Sequence, residues 1–420
     1  MDTGDIRRRI ADAIDGDKLC SRLDMLAAIG GTSSGGVDRQ ALSAADVEAH
    51  RSVMRWGRRA GFATFLDEAG NLFIRRDGRD GEAAPIMIGS HLDTQPNGGR
   101  LDGAYGVLAG LSVLDAFERV GVVTRRPIEV VAWNNEEGCR FSPGTMGSAA
   151  FAGKAAVADF RPVADHDGAK FGDALDFLLA SLSPESDGMI PFHIPHALIE
   201  SHIEQGPILE REHKTIGIVQ GIQGVRWFEV TVNGCVNHAG TTPRSARRDA
   251  LIHAVSLVSE LDEACSDADD MTRFTVGRFA VLPGSINCIP GSATFSIDLR
   301  HPAESRLEEL EGVIRRICAE ARREGFTVEV KRLQNLPPAD FHPDVVDRIA
   351  QSAAMLGFSS MPIISGAFHD ALNIAGICPT GMIFIPCRDG ISHNPAEHSE
   401  PEDIVAGAKV LASTVAALAE

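Results

Sequence analysis

The stretch that most restricts how this chain can fold runs from Pro85 to Arg119. Its apolar opening, Pro85-Ile86-Met87-Ile88, passes into "GSHLDTQPNGGRLDG" (89–103), where His91, Asp93 and Asp102 stand among four glycines. Directly after it, "AYGVLAGLSVLDAFER" (104–119) places Val107, Leu108, Leu111, Leu114 and Phe117 at helical spacing. A buried strand feeding a helix through a loop is the unit of an α/β layer with a largely parallel sheet. Residues 71–75, 127–133 and 197–203 read as further strands of that layer. In open sheets of this kind ligands bind at the carboxyl ends of the strands, which gives the charges in the loop a purpose.

The character of the chain changes near Gly221-Ile222-Gln223-Gly224. From there the pattern predicts a strand at 226–234, a helix at 247–264, strands at 272–281 and 293–301, a helix at 303–323 and a strand at 326–332. This β-α-β-β-α-β order is that of a ferredoxin-like α+β unit. After "LQNLPPADFHP" the α/β pattern resumes, with a helix at 343–356, a strand at 381–386 and a final helix at 401–419. With 420 residues the chain is long for one core. The predicted organisation is a discontinuous catalytic domain, 1–220 and 333–420, interrupted by a smaller domain at 221–332.

Net charge is −18, and no strongly basic patch offsets it, which argues against nucleic acid as a partner. No run approaches the ~18 apolar residues of a membrane span. The start, "MDTGDIRRRIADAIDG", lacks the apolar centre of a signal peptide. Eight scattered cysteines with no CxxC pair read as reduced thiols, so a cytoplasmic location is expected. "GTSSG" (31–35) fits the G-x-S-x-G pattern of a nucleophilic serine, but that motif needs a strand before it, and "LDMLAAIGG" reads as a helix. The segment is expected to be a loop.

Each apolar strand of the large domain is followed by candidate metal ligands. His91, Asp93 and Asp102 follow the strand at 84–89; Glu136 and Glu137 follow "PIEVVAWNN"; His202 and Glu204 follow "HALIES"; His393 follows "GMIFIPCRDGIS". Imidazoles and carboxylates meeting on one rim suit zinc, manganese, cobalt or nickel. Their number fits two ions sharing one aspartate. Of the adjacent pair Glu136 and Glu137, one can ligate while the other serves as general base. Asp93 is placed to orient His91.

These stretches resemble the M20 metallopeptidase superfamily, and within it the amidohydrolase branch of N-carbamoyl-L-amino acid hydrolases, β-ureidopropionases and allantoate amidohydrolases. The resemblance rests on "GSHLDTQPNGGRLDGAYGVLAG", "WNNEEGCRFSPGTMGS", "SHIEQGPILE", "GVRWFEVTVNGCVNHAGTTPRSARRDA", "PGSINCIPGSATFSIDLRH" and "DGISHNPAE", which span nearly the whole chain in order. It implies two divalent metal ions held by His91, Asp102 as the bridge, Glu137, His202 and His393. It implies Glu136 as general base and Asp93 as its supporting aspartate. Histidine at 202 favours the amidohydrolases over the peptidases.

On the strand at 293–301, Thr294, Ser296, Asp298 and Arg300 share a polar face, which presents Arg300 to an anion. By resemblance, Arg300 and Asn287 hold a substrate carboxylate and His238 stabilises an oxyanion, with Arg226 near the hinge as a further contact. The resemblance also implies that the inserted domain is a lid and forms a homodimer, some of its groups reaching the partner's site. The expected substrate is a small anionic N-carbamoyl or ureido compound. Allantoate, or an aminoacyl peptide, is the alternative, and a non-enzymatic scaffold would lack the complete ligand set. In "SGAFHDA" (365–371) this chain has Phe368 where the family usually has glycine, a change that bears on the substrate pocket.

Overall fold

The computed structural model describes residues 3–268 and 270–420. It divides into two compact units, one made of the chain up to Gln220 together with Phe341–Glu420, the other of Gly221–Asp340. The first unit contains β1 (Ala63–Leu66), β2 (Leu72–Arg76), β3 (Ile86–His91), β4 (Ile128–Trp133), β5 (Ala197–Ile203) and β6 (Ile216–Ile222), the last of which leads into the second. The second contains β7 (Gly224–Asn233), β8 (Asn237–His238), β9 (Arg273–Thr275), β10 (Phe279–Leu282), β11 (Cys288–Ile289), β12 (Ser292–His301), β13 (Thr327–Leu336) and β14 (Ala339–Asp340). The chain re-enters the first as β15 (Ser360–Ser365) and β16 (Thr380–Ile385).

The sheet of the first unit has the order β1-β2-β4-β3-β5-β16-β6, with β15 also on β6. Its centre, β4-β3-β5-β16, is parallel throughout. The flanks are antiparallel, at β1-β2, β2-β4 and β16-β6. All residues of β3, β4, β5 and β16 are buried, as is usual for strands covered on both faces. The helix Ala104–Val120 is buried along its whole first half. It packs on β3 and against the last helix, Pro401–Leu418, and ends at Gly121 in the left-handed conformation (φ 72°). Because the four central strands point the same way, their carboxyl ends meet on one rim. No helix among the described residues is long and apolar enough to cross a membrane.

The second unit is an antiparallel sheet in the order β10-β12-β7-β13, with β9 also pairing β12. Two helices, Ala250–Cys265 and Glu304–Glu320, supply Leu257, Leu261, Leu310 and Ile314 to a core shared with Phe228, Val230, Phe295, Ile297 and Leu299. Burial alternates along β12, so Thr294, Ser296, Asp298 and Arg300 lie on the opposite face. The strand predicted at 272–281 is broken into β9 and β10: residues 276–278 face only Ser296 and Ile297 of β12, one extra residue that interrupts the ladder, while Arg278 stays tied to Ser296 through its amide and carbonyl. The strand predicted to stop at 332 continues to Leu336 past an irregularity at Arg332/Gln334. The second unit therefore extends to Asp340 and not to 332.

Candidate metal centre

Four strand ends and one loop of the first unit bring the expected ligands together. His91 is the last residue of β3, Glu136 and Glu137 follow β4, His202 lies near the end of β5, and His393 follows β16. Asp102 arrives from the glycine-rich loop and is central to the cluster. Its Oδ1 lies 3.1 Å from His202 Nε2 and 3.5 Å from His91 Nε2. Its Oδ2 lies 3.2 Å from His393 Nε2. Glu136 Oε2 is 3.5 Å from His91 Nε2, and Glu137 Oε2 is 3.6 Å from His393 Nε2. Two donor groups result, His91-Asp102-His202 and Asp102-Glu137-His393, which share Asp102.

The glycines of the loop make room for these side chains. Gly103 has φ +65°, and a Cβ there would sit 2.4 Å from the His91 ring. At Gly99 a Cβ would overlap the Glu397 carboxylate, at 1.9–2.1 Å. That carboxylate accepts the amides of Leu101 (2.8 Å) and Asp102 (3.1 Å), and so fixes the backbone that carries Asp102.

Two imidazoles are oriented by carbonyls. His91 Nδ1 is 2.9 Å from the Asp93 carbonyl, and His202 Nδ1 is 2.9 Å from that of Ile203. Each Nδ1 is taken up by its carbonyl, which turns Nε2 towards Asp102. The Asp93 carboxylate accepts the amides of Glu136 (3.2 Å) and Glu137 (3.1 Å). Asp93 thus steadies both the histidine and the glutamate pair.

The electrostatics are those of carboxylates and imidazoles crowded together out of water. Burial pushes Asp102 upward, but hydrogen bonds from His202, His393 and His91 outweigh it and hold the carboxyl well below the usual range. His393 is raised to about 9, chiefly by Asp102. Burial opposes protonation of His91 and His202, but neighbouring carboxylates raise both. Burial, then Asp370, Glu137 and Asp93, lift Glu136 well above the carboxylate range against the pull of His91. Burial and Asp102 raise Glu137 to about 7. Divalent cations would offset this buried crowd of carboxylates. Neutral imidazole Nε2 atoms and carboxylate oxygens on one spot are a donor set that fits such ions.

Several site residues were not legible in the sequence. Gln95 grips Glu137 through its amide (3.1 Å to Oε1) and its side chain (2.8 Å to Oε2). Gln205 donates to Asp102 Oδ2 at 2.9 Å, and Ser392 reaches both Asp102 and Glu397. Glu200, fully buried on β5, accepts from Ser90 Oγ (2.7 Å) and the Ala371 amide (2.9 Å). His369 is buried 4.6 Å from the His202 ring, and burial together with His202 holds it well below the histidine range. Half-buried Phe368 immediately precedes it. Glu204, considered with the ligands, instead caps the short helix Ile208–Arg211 by accepting the amides of Ile208 and Leu209. "GTSSG" forms a loop with no strand before it, and Thr32 and Ser34 both bond to Asn97 Oδ1 at 2.6 Å.

The second unit contains the residues expected to contact substrate. Arg300 forks onto Asp298, with Nε at 2.9 Å and Nη2 at 2.8 Å. Exposed His238 accepts the amides of Gly240 (3.0 Å) and Thr241 (3.3 Å) on Nδ1. The neutral ring therefore carries its proton on Nε2. Asn287 accepts from Ser285 Oγ on Oδ1, leaving its NH₂ group to donate outward. Arg226 requires a correction: it is 4% exposed and bonds Glu311 (2.9 Å) and Glu304 (2.5 Å). It pairs in register with Leu299, on the core face and opposite to Arg300. Its role is an internal brace between β7 and the helix Glu304–Glu320, not a substrate contact.

A helix-covered sheet with histidines and carboxylates gathered on its rim is an α/β architecture carrying a metal-type donor set. The model of peptidase family M20/M25/M40 matches residues 87–417, and the chain belongs to that family. Within it, the chain is similar to amidohydrolases. It is 38% identical over 411 residues to the N-carbamoyl-L-amino-acid amidohydrolase of Rhizobium meliloti, covering 97% of each chain. It is 35% identical to the allantoate amidohydrolase of Escherichia coli strain K12, over 93% of this chain and 95% of that one. The crystal structure of an amidase of the hydantoinase/carbamoylase family from Burkholderia multivorans superposes with a TM-score of 0.90 at 41% identity, covering 97% and 98%. The protein is a hydrolase of amide C–N bonds.

Proposed function

We propose that the protein cleaves the ureido C–N bond of N-carbamoyl-L-amino acids, releasing the amino acid, carbon dioxide and ammonia. The observation that carries this reading is the buried Asp102 carboxylate shared by two donor groups, with Glu136 beside them. His91, His202, Glu137 and His393 would hold two divalent cations, zinc, manganese, cobalt or nickel, with Asp102 between them. Bound cations of this kind supply Lewis acidity, polarising a carbonyl and acidifying water. Glu136 takes a proton from the attacking water and returns it to the leaving nitrogen. Asp93 keeps Glu136 in reach by holding its amide. His238, with its proton on Nε2, donates to the developing oxyanion, and Arg300 and Asn287 hold the substrate carboxylate.

Within one chain Arg300 and Asn287 cannot grip the same group. Arg300 lies at one end of β12, while Asn287 and His238 lie beyond Ser292 at the other end, joined through the β8–β11 pair. At ~3.3 Å per residue the strand alone separates them by roughly 26 Å. This spacing supports a homodimer in which the second unit lends Asn287 and His238 to its partner and acts as a lid. Exposed Ile252 and Val255 on the helix Ala250–Cys265, and Leu282 on edge strand β10, offer apolar surface for that contact. Eight free thiols fit a reducing, cytoplasmic setting.

The test is ammonia release from a panel of N-carbamoyl-L-amino acids and allantoate, run beside amino-acid release from dipeptides. Hydrolysis of the first, abolished by a chelator and restored by Mn²⁺, Co²⁺, Ni²⁺ or Zn²⁺, is the expected result. Preference for allantoate or dipeptides overturns the substrate assignment. Arg300→Ala is expected to raise KM by ~10- to 100-fold with a smaller change in kcat, since charged hydrogen bonds contribute ~1.5–3 kcal/mol. Steady-state kinetics check this, and an unchanged KM would remove Arg300 from the carboxylate clamp.

A further inference from the structure

The "GTSSG" segment and the residues after it take no part in the chemistry described so far, yet they are built against the metal loop. Val37 exchanges backbone hydrogen bonds with Gly98 at 2.8 and 3.0 Å. Arg39, with 0% exposure, brackets Asp93 from both sides. Its Nε donates to the Leu92 carbonyl at 2.7 Å. Its amide donates to Thr94 Oγ1 at 2.9 Å, and its carbonyl accepts the Thr94 amide at 3.0 Å. The other arm of the fork, Nη1, holds the Leu26 and Ile29 carbonyls at 3.0 and 2.9 Å, at the end of the helix Gly16–Ala27. That end has carbonyls without helical partners, which a cation suits.

We propose that Arg39 is a positioning residue for the metal centre: it ties the peptide on either side of Asp93 to a helix end, and so sets where Asp93 holds His91, Glu136 and Glu137. The chain of contacts runs from Arg39 to Leu92 and Thr94, then through the Asp93 carbonyl to His91 Nδ1 and through its carboxylate to the two glutamate amides. An arginine is needed because three carbonyls on two segments must be reached by one planar fork, and a lysine ammonium cannot span them. The segment 31–36 completes the brace, its hydroxyls holding Asn97 midway along the loop.

The inference rests on reading the rim as a metal site, and its test uses metal binding first. Arg39→Lys and Thr94→Val are made in the full chain, their folding is checked by circular dichroism, and Mn²⁺ affinity is titrated by electron paramagnetic resonance of the free ion. Both variants are expected to bind Mn²⁺ ~10-fold or more weakly, the range seen when groups behind metal ligands are changed. Their kcat is expected to fall with little change in KM. Lowered thermal stability with Mn²⁺ affinity equal to the wild type would make Arg39 merely structural and overturn the proposal. If Arg39→Lys does not fold, Thr94→Val decides on the same titration. A wild-type chain that binds Mn²⁺ but hydrolyses no N-carbamoyl amino acid defeats the substrate assignment and leaves this one standing.

Discussion

Glu136→Gln is expected to retain its metal ions and its KM while kcat falls by ~10²- to 10⁴-fold, the range contributed by a positioned acid–base group. The substitution keeps the size of the side chain and the hydrogen bond that the backbone amide of residue 136 donates to the Asp93 carboxylate. It removes the one capacity the reaction requires, taking up a proton and giving it back. Because burial and neighbouring carboxylates hold Glu136 well above the ordinary carboxyl range, the group is suited to carry a proton between two reacting atoms. Kinetics alongside metal analysis check the division: loss of metal in step with loss of rate would make Glu136 a ligand and leave the base unassigned.

Asp102→Asn should have the larger effect and a different signature. Asp102 lies within 3.5 Å of three imidazoles from three segments of the chain. A neutral amide there cannot offset cations on either side. Metal content is expected to fall for both donor groups together, and hydrolysis to fall below that of Glu136→Gln. Removing one partner from a buried charge cluster costs about 3–5 kcal/mol, so the metal-free variant should also melt earlier than the metal-free wild type. Elemental analysis and thermal denaturation measure these directly. Retention of full metal content would refute the idea that Asp102 is shared.

The two predictions rest on residues that could be read from the sequence, because each follows a strand whose burial leaves a clear apolar run. β3, β4, β5 and β16 were visible in that way. β1, β6 and β15 were not: β1 has four residues, β6 interrupts its apolar run with Gly217, Gln220 and Gly221, and β15 contains Pro362. The supporting residues are hidden for another reason. Glu397 acts on Leu101 and Asp102, and Arg39 on Leu92, through contacts between distant parts of the chain that no local pattern announces. Arg226 is different, since its signal was present. It stands two residues before Phe228 on a strand of period two, and so belongs with Phe228, Val230 and Val232 on the covered face.

The place of β16 in the sheet has a consequence for how the protein is made. This late strand lies between β5 and β6, not at an edge. Until residues 380–385 leave the ribosome, β5 has no neighbour on one side, and the nascent chain carries an open seam of unpaired amides and carbonyls. His393 and Glu397 emerge later still. Of the two donor groups, the one that includes His393 is therefore assembled only after the rest of the sheet has been synthesised.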